Sequence, residues 1–506
     1  MNKRKKPLAG MLALFVLMCL FAGCKSGPGE ESGKTDGGPG EKPSEAQEQA
    51  TEKNAADYLP AADYAGYEFK VVAIPNTSYD GAHTAFDIEA ESGDLIEDAV
   101  YKRNRIVEQR YNIKIAQIEE STWEKCIARF QKSVKAGSDD FDMCTLISRE
   151  AWKYAIEGYV APVSSLPYLD ITQPWYAREL NSELSVAGKL LFAYSDECLN
   201  MFEQTLAVFF SKKLSADLGI ENIYALVRDG KWTFDKFFGF SRQAVADLNG
   251  DGQWTDEDRY GVVSQTDMFY PCFWVSGGSK TVGKDENGNL IFAGSTDKMH
   301  DIVEQVQSFV TGGQKVVYDA QADKFATIKG AGPEPDRDVS TQQFANGLAL
   351  FYVRNIGIAQ PMRGMEMDFG IVPFPKYDEL QDKYYSRMID GWINVVPVTN
   401  QELERTSVIM EAIACESRNL VFPAYYDLSL KTKLTRDDES EEMLDIIKDY
   451  RTLDIGDTVM LSDGIRSMVT DVMKKSGSSL AGAIEKNMGK IEKALQKVND
   501  AAAELE

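Results

Sequence analysis

An acidic loop at residues 247–258 is the segment whose residue types and spacing most clearly indicate chemistry. Oxygen ligands fall at positions 1, 3, 5, 7, 9 and 12 of an EF-hand calcium loop. These residues are Asp247, Asn249, Asp251, Gln253 (through its main-chain carbonyl), Thr255 and Asp258. Because Ca²⁺ prefers about six to eight oxygen ligands, the spacing predicts a structural Ca²⁺ site. An acidic turn that holds no ion is the alternative.

The first 24 residues indicate where the protein works. A basic run, Lys3-Arg4-Lys5-Lys6, precedes an apolar stretch that is shorter than the ~20 residues needed to span a bilayer as a helix. This order predicts a signal peptide over residues 1–23. The sequence Ala22-Gly23-Cys24 resembles the lipobox of bacterial lipoproteins. That resemblance implies acylation of Cys24 and a position on the extracytoplasmic face of the bacterial cell membrane. Ordinary secretion is the alternative.

Composition separates a tether from a folded body. Residues 24–56 are mostly Gly, Ser, Glu, Lys, Pro and Thr without an aromatic residue, which predicts a disordered linker. The formal charge of the chain is -24, and it becomes -28 when the four basic residues of the leader are removed. So acidic a body argues against nucleic acid as a partner.

The sequence contains few candidate residues for nucleophilic catalysis. Only two histidines occur, His83 and His300, and the HExxH, GxSxG and P-loop patterns are absent. A glycosidase needs only two carboxylates, so a surface enzyme that acts on carbohydrate stays an alternative.

The five cysteines after Cys24 are widely spaced and odd in number, which favours buried apolar residues over a disulfide framework.

The elements that must position a site follow a β-α-β-α-β order. The sequence predicts strands at 67–74, 113–118 and 141–147, with one helix capped by Asp94 and a second between the later strands. This order indicates a parallel sheet in an α/β fold, in which ligands bind beyond the carboxyl ends of the strands. Further predicted elements are strands at 207–210, 348–353, 369–373 and 393–397, a helix capped by Thr233, and a C-terminal helix at 480–498.

Several passages resemble extracellular sugar-binding proteins of the maltodextrin-binding type, which are solute-binding components of ABC importers. They occur in the same order as in that family, and each is weak alone. The passages are Phe209-Phe-Ser-Lys-Lys213, Leu218-Gly219, Gly230-Lys-Trp-Thr-Phe-Asp235, Tyr270-Pro271 before Gly277-Gly278, Asn346-Gly-Leu-Ala-Leu-Phe351, Phe369-Gly-Ile-Val-Pro-Phe-Pro375, Asp390-Gly391-Trp392 and Lys475-Ser-Gly477. Ser211 and Tyr270 depart from the Asn and Trp usual in the family.

The resemblance implies a two-lobed periplasmic-binding-protein-like fold of class II, with crossing hinge strands and a ligand cleft between the lobes. We expect the first lobe to contain residues 57–197 and 346–398, and the second to contain 198–345 and 399–506. A binding protein of this family is not an enzyme. We expect a monomer that passes a mono- or oligosaccharide to permease subunits and touches the membrane only through its lipid anchor. A receptor that presents ligand to a membrane sensor is a further alternative.

A sugar site needs aromatic plates for apolar C–H faces, and acids or amides for hydroxyl groups. Tyr270 is the candidate plate implied by the resemblance. The other candidates are the plates Trp274, Trp392 and Trp175, and the hydroxyl acceptors Asp390, Asp87 and Asn355. Most aromatic residues of the chain will pack in the core, which is the alternative for each of these plates.

Overall fold

The structure is a computed structural model that describes residues 58–76, 83–322, 335–434 and 437–505. The predicted signal peptide, Cys24 and the linker over residues 24–56 lie outside the described residues. Within the described part, none of the helices is both long enough and apolar enough to cross a membrane.

Strands and helices alternate along most of the chain. The strands are β1 (Tyr67–Ala73), β2 (Ile113–Glu119), β3 (Met143–Ile147), β4 (Leu206–Ser211), β5 (Tyr260–Ser264), β6 (Val282–Lys284), β7 (Leu290–Phe292), β8 (Val317–Asp319), β9 (Ala349–Asn355), β10 (Phe369–Val372), β11 (Ser386–Arg387), β12 (Trp392–Val395) and β13 (Arg451–Thr452). The helices are α1 (Leu95–Tyr111), α2 (Trp123–Ala136), α3 (Ser148–Ile156), α4 (Arg178–Leu184), α5 (Asn200–Glu203), α6 (Lys212–Asp217), α7 (Ile223–Arg228), α8 (Phe234–Ala244), α9 (Thr266–Ser276), α10 (Asp297–Thr311), α11 (Pro335–Ala345), α12 (Leu403–Glu416), α13 (Asp438–Asp449), α14 (Ile455–Thr458), α15 (Ile465–Lys474) and α16 (Leu480–Ala503). Two π-helical segments, Ser417–Val421 and Ala424–Leu434, follow α12.

Helix α1 illustrates how local sequence sets the element boundaries. The Asp94 carboxylate accepts hydrogen bonds from the main-chain N–H groups of Ile96 and Glu97, at 2.9 and 3.1 Å, which confirms the predicted N-cap. The helix ends at Asn112, which has the left-handed φ of 49° that asparagine tolerates better than most residues. The predicted strands on either side, 67–74 and 113–118, are confirmed as β1 and β2.

The first lobe is built on a four-stranded sheet in the order β12-β3-β1-β2. Strand β1 pairs in parallel with both β2 and β3, and β12 runs antiparallel to β3. Because β12 runs antiparallel, its first residue, Trp392, lies opposite Ile147, the last residue of β3. The predicted β-α-β-α-β order and parallel sheet are therefore confirmed, and the start of β12 joins the carboxyl edge of the sheet.

The second lobe is built on a five-stranded sheet in the order β10-β4-β9-β5-β8. Strands β5, β8 and β9 are parallel, and β4 runs antiparallel to β9 and β10. Trp232 packs in the core of this lobe, and its indole N–H donates to the carbonyl of Pro373 at 2.9 Å. The five described cysteines are free and buried, as predicted from their spacing.

Crossing segments join the two sheets. The main-chain N–H of Ile389 donates to the carbonyl of Gln204 at 3.1 Å, and Thr205 forms an antiparallel bridge with Met388. Each of these two stretches runs from one sheet into the other, because β4 and β10 belong to the second sheet and β3 and β12 to the first. This arrangement matches the predicted hinge.

Sheet membership differs from the lobe boundaries expected from the sequence. Residues 346–398 were expected in the first lobe, but β9 and β10 pair within the five-stranded sheet. Residues 399–506 were expected in the second lobe, but α12 packs against α1 in the first. The physical reason is that a short, wholly buried strand carries no signal of which sheet it joins. Its partners are fixed by pairing with distant residues.

Candidate functional site

The carboxyl edges of the two sheets both lead to the crossing segments. In the first lobe, Ser148 and Arg149 directly follow β3, and Asp390 lies two residues before β12. In the second lobe, Asn355 ends β9, and its side-chain amide donates to the Gln204 side chain at 3.0 Å. Since Gln204 also pairs with Ile389 through the main chain, polar side chains from both lobes gather beside the same crossing stretch. This is where ligands bind in open α/β sheets.

A charged pair marks the first-lobe side of the site. The Asp390 carboxylate accepts hydrogen bonds from the Ser148 hydroxyl at 2.7 Å and from the Arg149 main-chain N–H at 3.1 Å. It also forms an ion pair with the Arg149 guanidinium. The Arg149 guanidinium lies 5.3 Å from the ring centroid of Trp123, the first residue of α2. A planar cation, a carboxylate and an indole therefore lie side by side.

The second-lobe side carries amides, a carboxylate and a basic group. The Arg354 guanidinium donates to the Gln265 side chain just beyond the end of β5. Asp319 at the end of β8 accepts from the main chain and the hydroxyl of Thr266, at 3.0 and 2.5 Å. Burial raises the pKa of Asp319, although the hydrogen bond from Thr266 opposes the shift. Lys474 donates to the same Thr266 hydroxyl at 3.2 Å.

A buried histidine connects the segment after β1 to the crossing stretch. The His83 ring Nδ1 lies 2.5 Å from a Glu203 carboxylate oxygen, and the His83 main-chain N–H donates to the other oxygen at 3.2 Å. Asn200 donates to the same carboxylate at 3.0 Å. Burial opposes a charged imidazole, but the attraction and hydrogen bond of Glu203 outweigh it and raise the pKa of His83. This pair therefore fastens the first lobe to the segment leading into β4.

A small polar cavity of about 40 Å³ lies next to Trp392. Its polar lining comprises Asn76, His83, Thr84, Glu97, Arg103, Thr145, Glu197, Asn200 and Asn394. Burial raises the pKa of Glu197 to about 7, and one of its carboxylate oxygens has no hydrogen-bond partner in the described structure. The cavity has room for a few water molecules but not for a sugar ring.

Two of the predicted aromatic plates belong to the framework. The Trp175 indole N–H donates to Glu411 at 3.1 Å, and the Trp274 indole N–H donates to Asp454 at 2.9 Å. Both rings are almost fully buried, so neither face is open to a ligand. Their acceptors lie 236 and 180 residues away along the chain, so no local sequence pattern indicates these partners.

The other predicted residues lie nearer the site. Tyr270 is mostly buried, with the Lys474 ammonium 5.9 Å from its ring centroid. Trp392 borders the polar cavity, and its main-chain N–H donates to Asn200 at 2.9 Å. Asp87 accepts from Asn104 at 3.3 Å and lies 3.7 Å from Arg105, so it faces α1. The structure therefore gathers Asp390, Trp392 and Asn355 around the crossing segments.

Sequence reasoning missed several side chains of the site. Trp123 and Arg149 directly follow the loop after β2 and the end of β3, and Gln265 directly follows β5. Their positions could have indicated them, because ligand sites in open α/β folds form just beyond the carboxyl ends of parallel strands. His83 was noted only as evidence against catalysis, because nothing in the sequence connects it to Glu203.

The predicted calcium loop is closed by hydrogen bonds to its own main chain. Asp247 accepts from the N–H groups of Gly250 and Gly252 at 2.7 and 2.8 Å, and buried Asp258 accepts from Leu248 and Thr255 at 3.0 and 2.8 Å. Both glycines have a φ of 74°, the region that glycine adopts freely. Nowhere in the described residues do three acidic, His or Cys side chains converge closely enough to hold a metal ion, and the three Asp of this loop are no exception.

Solved structures share this architecture. An ABC substrate-binding protein from Listeria monocytogenes in complex with cycloalternan matches with a TM-score of 0.54 at 14% identity, over 85% of this chain and 99% of that chain. The chain has the fold of an ABC substrate-binding protein. This finding confirms the predicted two-lobed α/β fold class.

Two further structures have the same fold. A cyclo/maltodextrin-binding protein complexed with maltotetraose gives a TM-score of 0.56 at 11% identity, over 85% of this chain and 97% of the other. UgpB from Mycobacterium tuberculosis in complex with glycerophosphocholine gives 0.53 at 14% identity, over 86% and 98%. Neither a protein-family model nor a curated relative matches the sequence. At these identities the similarity concerns the fold.

Proposed function

We propose that this chain is an extracytoplasmic solute-binding protein that captures a carbohydrate between its lobes and delivers it to the permease subunits of an ABC importer. The observation that carries the proposal is the ion pair of Arg149 and Asp390 beside Trp123, at the carboxyl edge of the first sheet. A sugar presents apolar C–H faces and a rim of hydroxyl groups. An indole plate next to charged hydrogen-bonding groups suits both features.

Each side chain has a distinct role in this proposal. Trp123 supplies a plate for a sugar face, and Arg149 donates hydrogen bonds to ring or hydroxyl oxygens. Asp390 is a positioning residue, because its oxygens already accept from Ser148 and from both the main chain and side chain of Arg149. Across the cleft, the Gln265 and Asn355 amides complete the hydroxyl contacts when the lobes close by a hinge motion.

The rest of the proposal concerns the setting of the protein. Acylated Cys24 anchors the chain to the outer face of the cell membrane, and residues 24–56 hold the folded body away from it. The protein works as a monomer, binds no nucleic acid and does not transform its solute. We further propose that the loop at 247–258 binds a structural Ca²⁺ independently of solute capture, which requires Asp247 and Asp258 to give up the main-chain hydrogen bonds described above.

A calorimetric titration with oligosaccharides tests the site. The titration first identifies a saccharide that the unaltered chain binds. Trp123→Ala should weaken the binding of that saccharide about tenfold, because a stacking contact is lost. Lys132→Gln is the matched control, since Lys132 is exposed on the same helix. Equal affinity of the Trp123→Ala variant and the unaltered protein would contradict this assignment. Hydrolysis of the saccharide would instead favour a surface enzyme.

A further inference from the structure

A groove of about 340 Å³ runs along the crossing segments, and both lobes contribute to its walls. The first lobe contributes Arg178 at the start of α4, and Arg418 in the π-helical segment after α12. The second lobe contributes Lys448 near the end of α13 and Arg451 in β13. Phe202, which lies just before the chain enters β4, forms part of the floor. None of these residues belongs to the carbohydrate site proposed above.

Arg451 is the unusual member of this groove. Its guanidinium lies 3.7 Å from the ring centroid of Phe202, and its Nε donates to the Lys448 carbonyl at 3.0 Å. Its Nη1 is buried and has no hydrogen-bond partner in the described structure. Arg451 is partly exposed, and its charge is attracted by Asp196 and Asp449 without forming an ion pair with a described carboxylate. Burial lowers the pKa of Arg451 to about 10, so it remains a cation at neutral pH.

The other cations divide into paired and unpaired groups. Arg418 forms an ion pair with Asp196 at 3.3 Å, and Lys448 lies 3.4 and 3.6 Å from Asp445 and Asp449. Arg178 is exposed and makes no ion pair within the described residues. The two arginines without a carboxylate partner therefore come from opposite lobes.

The charge balance of the groove differs from that of the whole chain. The chain has 79 acidic and 55 basic residues, but cations outnumber acids in the groove lining. Its acids are Glu179, Asp196 and Asp449, of which Asp196 and Asp449 are each near a cation of the groove. A groove with a net positive lining, on a protein that is acidic as a whole, would select anions over neutral sugars.

We propose that this groove binds a small oxoanion, the phosphate or carboxylate group of a metabolite, between Arg451 and Arg178. A planar guanidinium presents parallel N–H donors that match the oxygen spacing of both groups, and its position on Phe202 fixes its plane in advance. Arg451 lines the groove, so the edge of its guanidinium that borders the groove can donate to the bound anion. The walls of the groove come from both lobes, so a bound anion changes the free-energy difference between the open and closed lobes. This coupling between anion binding and lobe closure rests on the proposed function.

Calorimetric titrations with inorganic phosphate and with citrate test the site, at an ionic strength held constant with sodium chloride. We expect saturable binding of at least one anion. Arg178→Gln should weaken it by about tenfold, the loss expected for one charge-assisted hydrogen bond. Arg451→Met should weaken it at least as much, while its stem still covers Phe202. Arg228→Gln is the control, because Arg228 lies on α7 outside the groove and pairs with Glu439 and Glu442.

Each outcome has a defined meaning. Binding of phosphate alone assigns a phosphate group, binding of citrate alone assigns a carboxylate, and both support the oxoanion site. Absence of saturable binding for both anions overturns the proposal, as does binding that Arg178→Gln leaves unchanged. If Arg451→Met does not fold, the exposed Arg178 position still decides the matter. Anion binding needs no solute, so a failed sugar screen would leave this result independent.

Discussion

Asp390 holds Arg149 in place at the carboxyl edge of the first-lobe sheet. The carboxylate precedes β12, the guanidinium follows β3, and 241 positions separate them in sequence. Their contact brings a charged hydrogen-bond donor to Trp123, at the carboxyl edge of the sheet, where open α/β sheets bind ligands. Asp390 therefore orients the Arg149 guanidinium beside Trp123.

Asp390→Asn should therefore weaken solute binding more than it weakens the fold. The amide can still accept from Ser148, but it no longer attracts the Arg149 cation. We expect about a tenfold loss of affinity by calorimetry. Urea denaturation should report a loss of about 1 kcal/mol or less, the scale of a partly exposed ion pair. Arg149→Lys should reproduce the loss of affinity, because an ammonium lacks the planar donor geometry. Unchanged affinity in both variants would remove the pair from the site.

The His83–Glu203 pair should make the free energy of unfolding depend on pH. The folded protein raises the pKa of His83 above its unfolded value of about 6.5. The pair therefore stabilises the fold fully below that value, and its contribution is lost as pH rises through the folded pKa. In urea denaturation, the stability difference between the unaltered protein and His83→Gln should shrink from about pH 5.5 to pH 8.5.

His300→Gln is the matched control for that measurement, because His300 is the other histidine of the chain. Glu197 and Glu411 change stability in the same direction, since burial raises the pKa of each to about 7 and their ionisation at higher pH is unfavourable. The difference between variants isolates His83 from both. A difference that stays constant over this range would show that folding does not shift the pKa of His83.

The sequence specifies local structure more clearly than it specifies the site. Asp94 caps α1 where predicted, and the apolar runs at β1 and β2 form strands, because these signals involve near neighbours. Trp175 and Trp274 were expected to bind ligand and instead donate to Glu411 and Asp454. Exposed and buried indoles look alike in a sequence, because the buried acceptor that decides between them lies far along the chain.

Removal of Ca²⁺ tests the loop at 247–258. If the loop binds the ion, a chelator should lower the melting temperature, because Asp247, Asp251 and Asp258 would repel one another without it. Asp251→Ala should melt at the chelated temperature and no longer respond to the chelator. Solute affinity should change little. A melting curve indifferent to chelator and to added calcium would mean that the loop's own hydrogen bonds are sufficient.

Replacement of the proposed anchor residue should separate location from binding. We expect Cys24→Ser to move the protein from the membrane fraction to the soluble fraction, because the chain loses its acyl groups. Solute affinity should remain the same, since the polar linker isolates the anchor from the folded lobes. Immunoblots of fractionated cells measure the first effect and calorimetry the second. Retention of the Cys24→Ser protein in membranes would contradict lipid anchoring.

The most direct test of solute capture is small-angle scattering during titration of the purified full chain with oligosaccharides. The account predicts a saturable decrease in the radius of gyration, with the saccharide recovered intact, because the lobes close on a bound ligand. Arg149→Gln should shift this transition to higher saccharide concentration. Turnover of the saccharide, or saturable binding to the chain with no change in the radius of gyration, would contradict capture between the lobes.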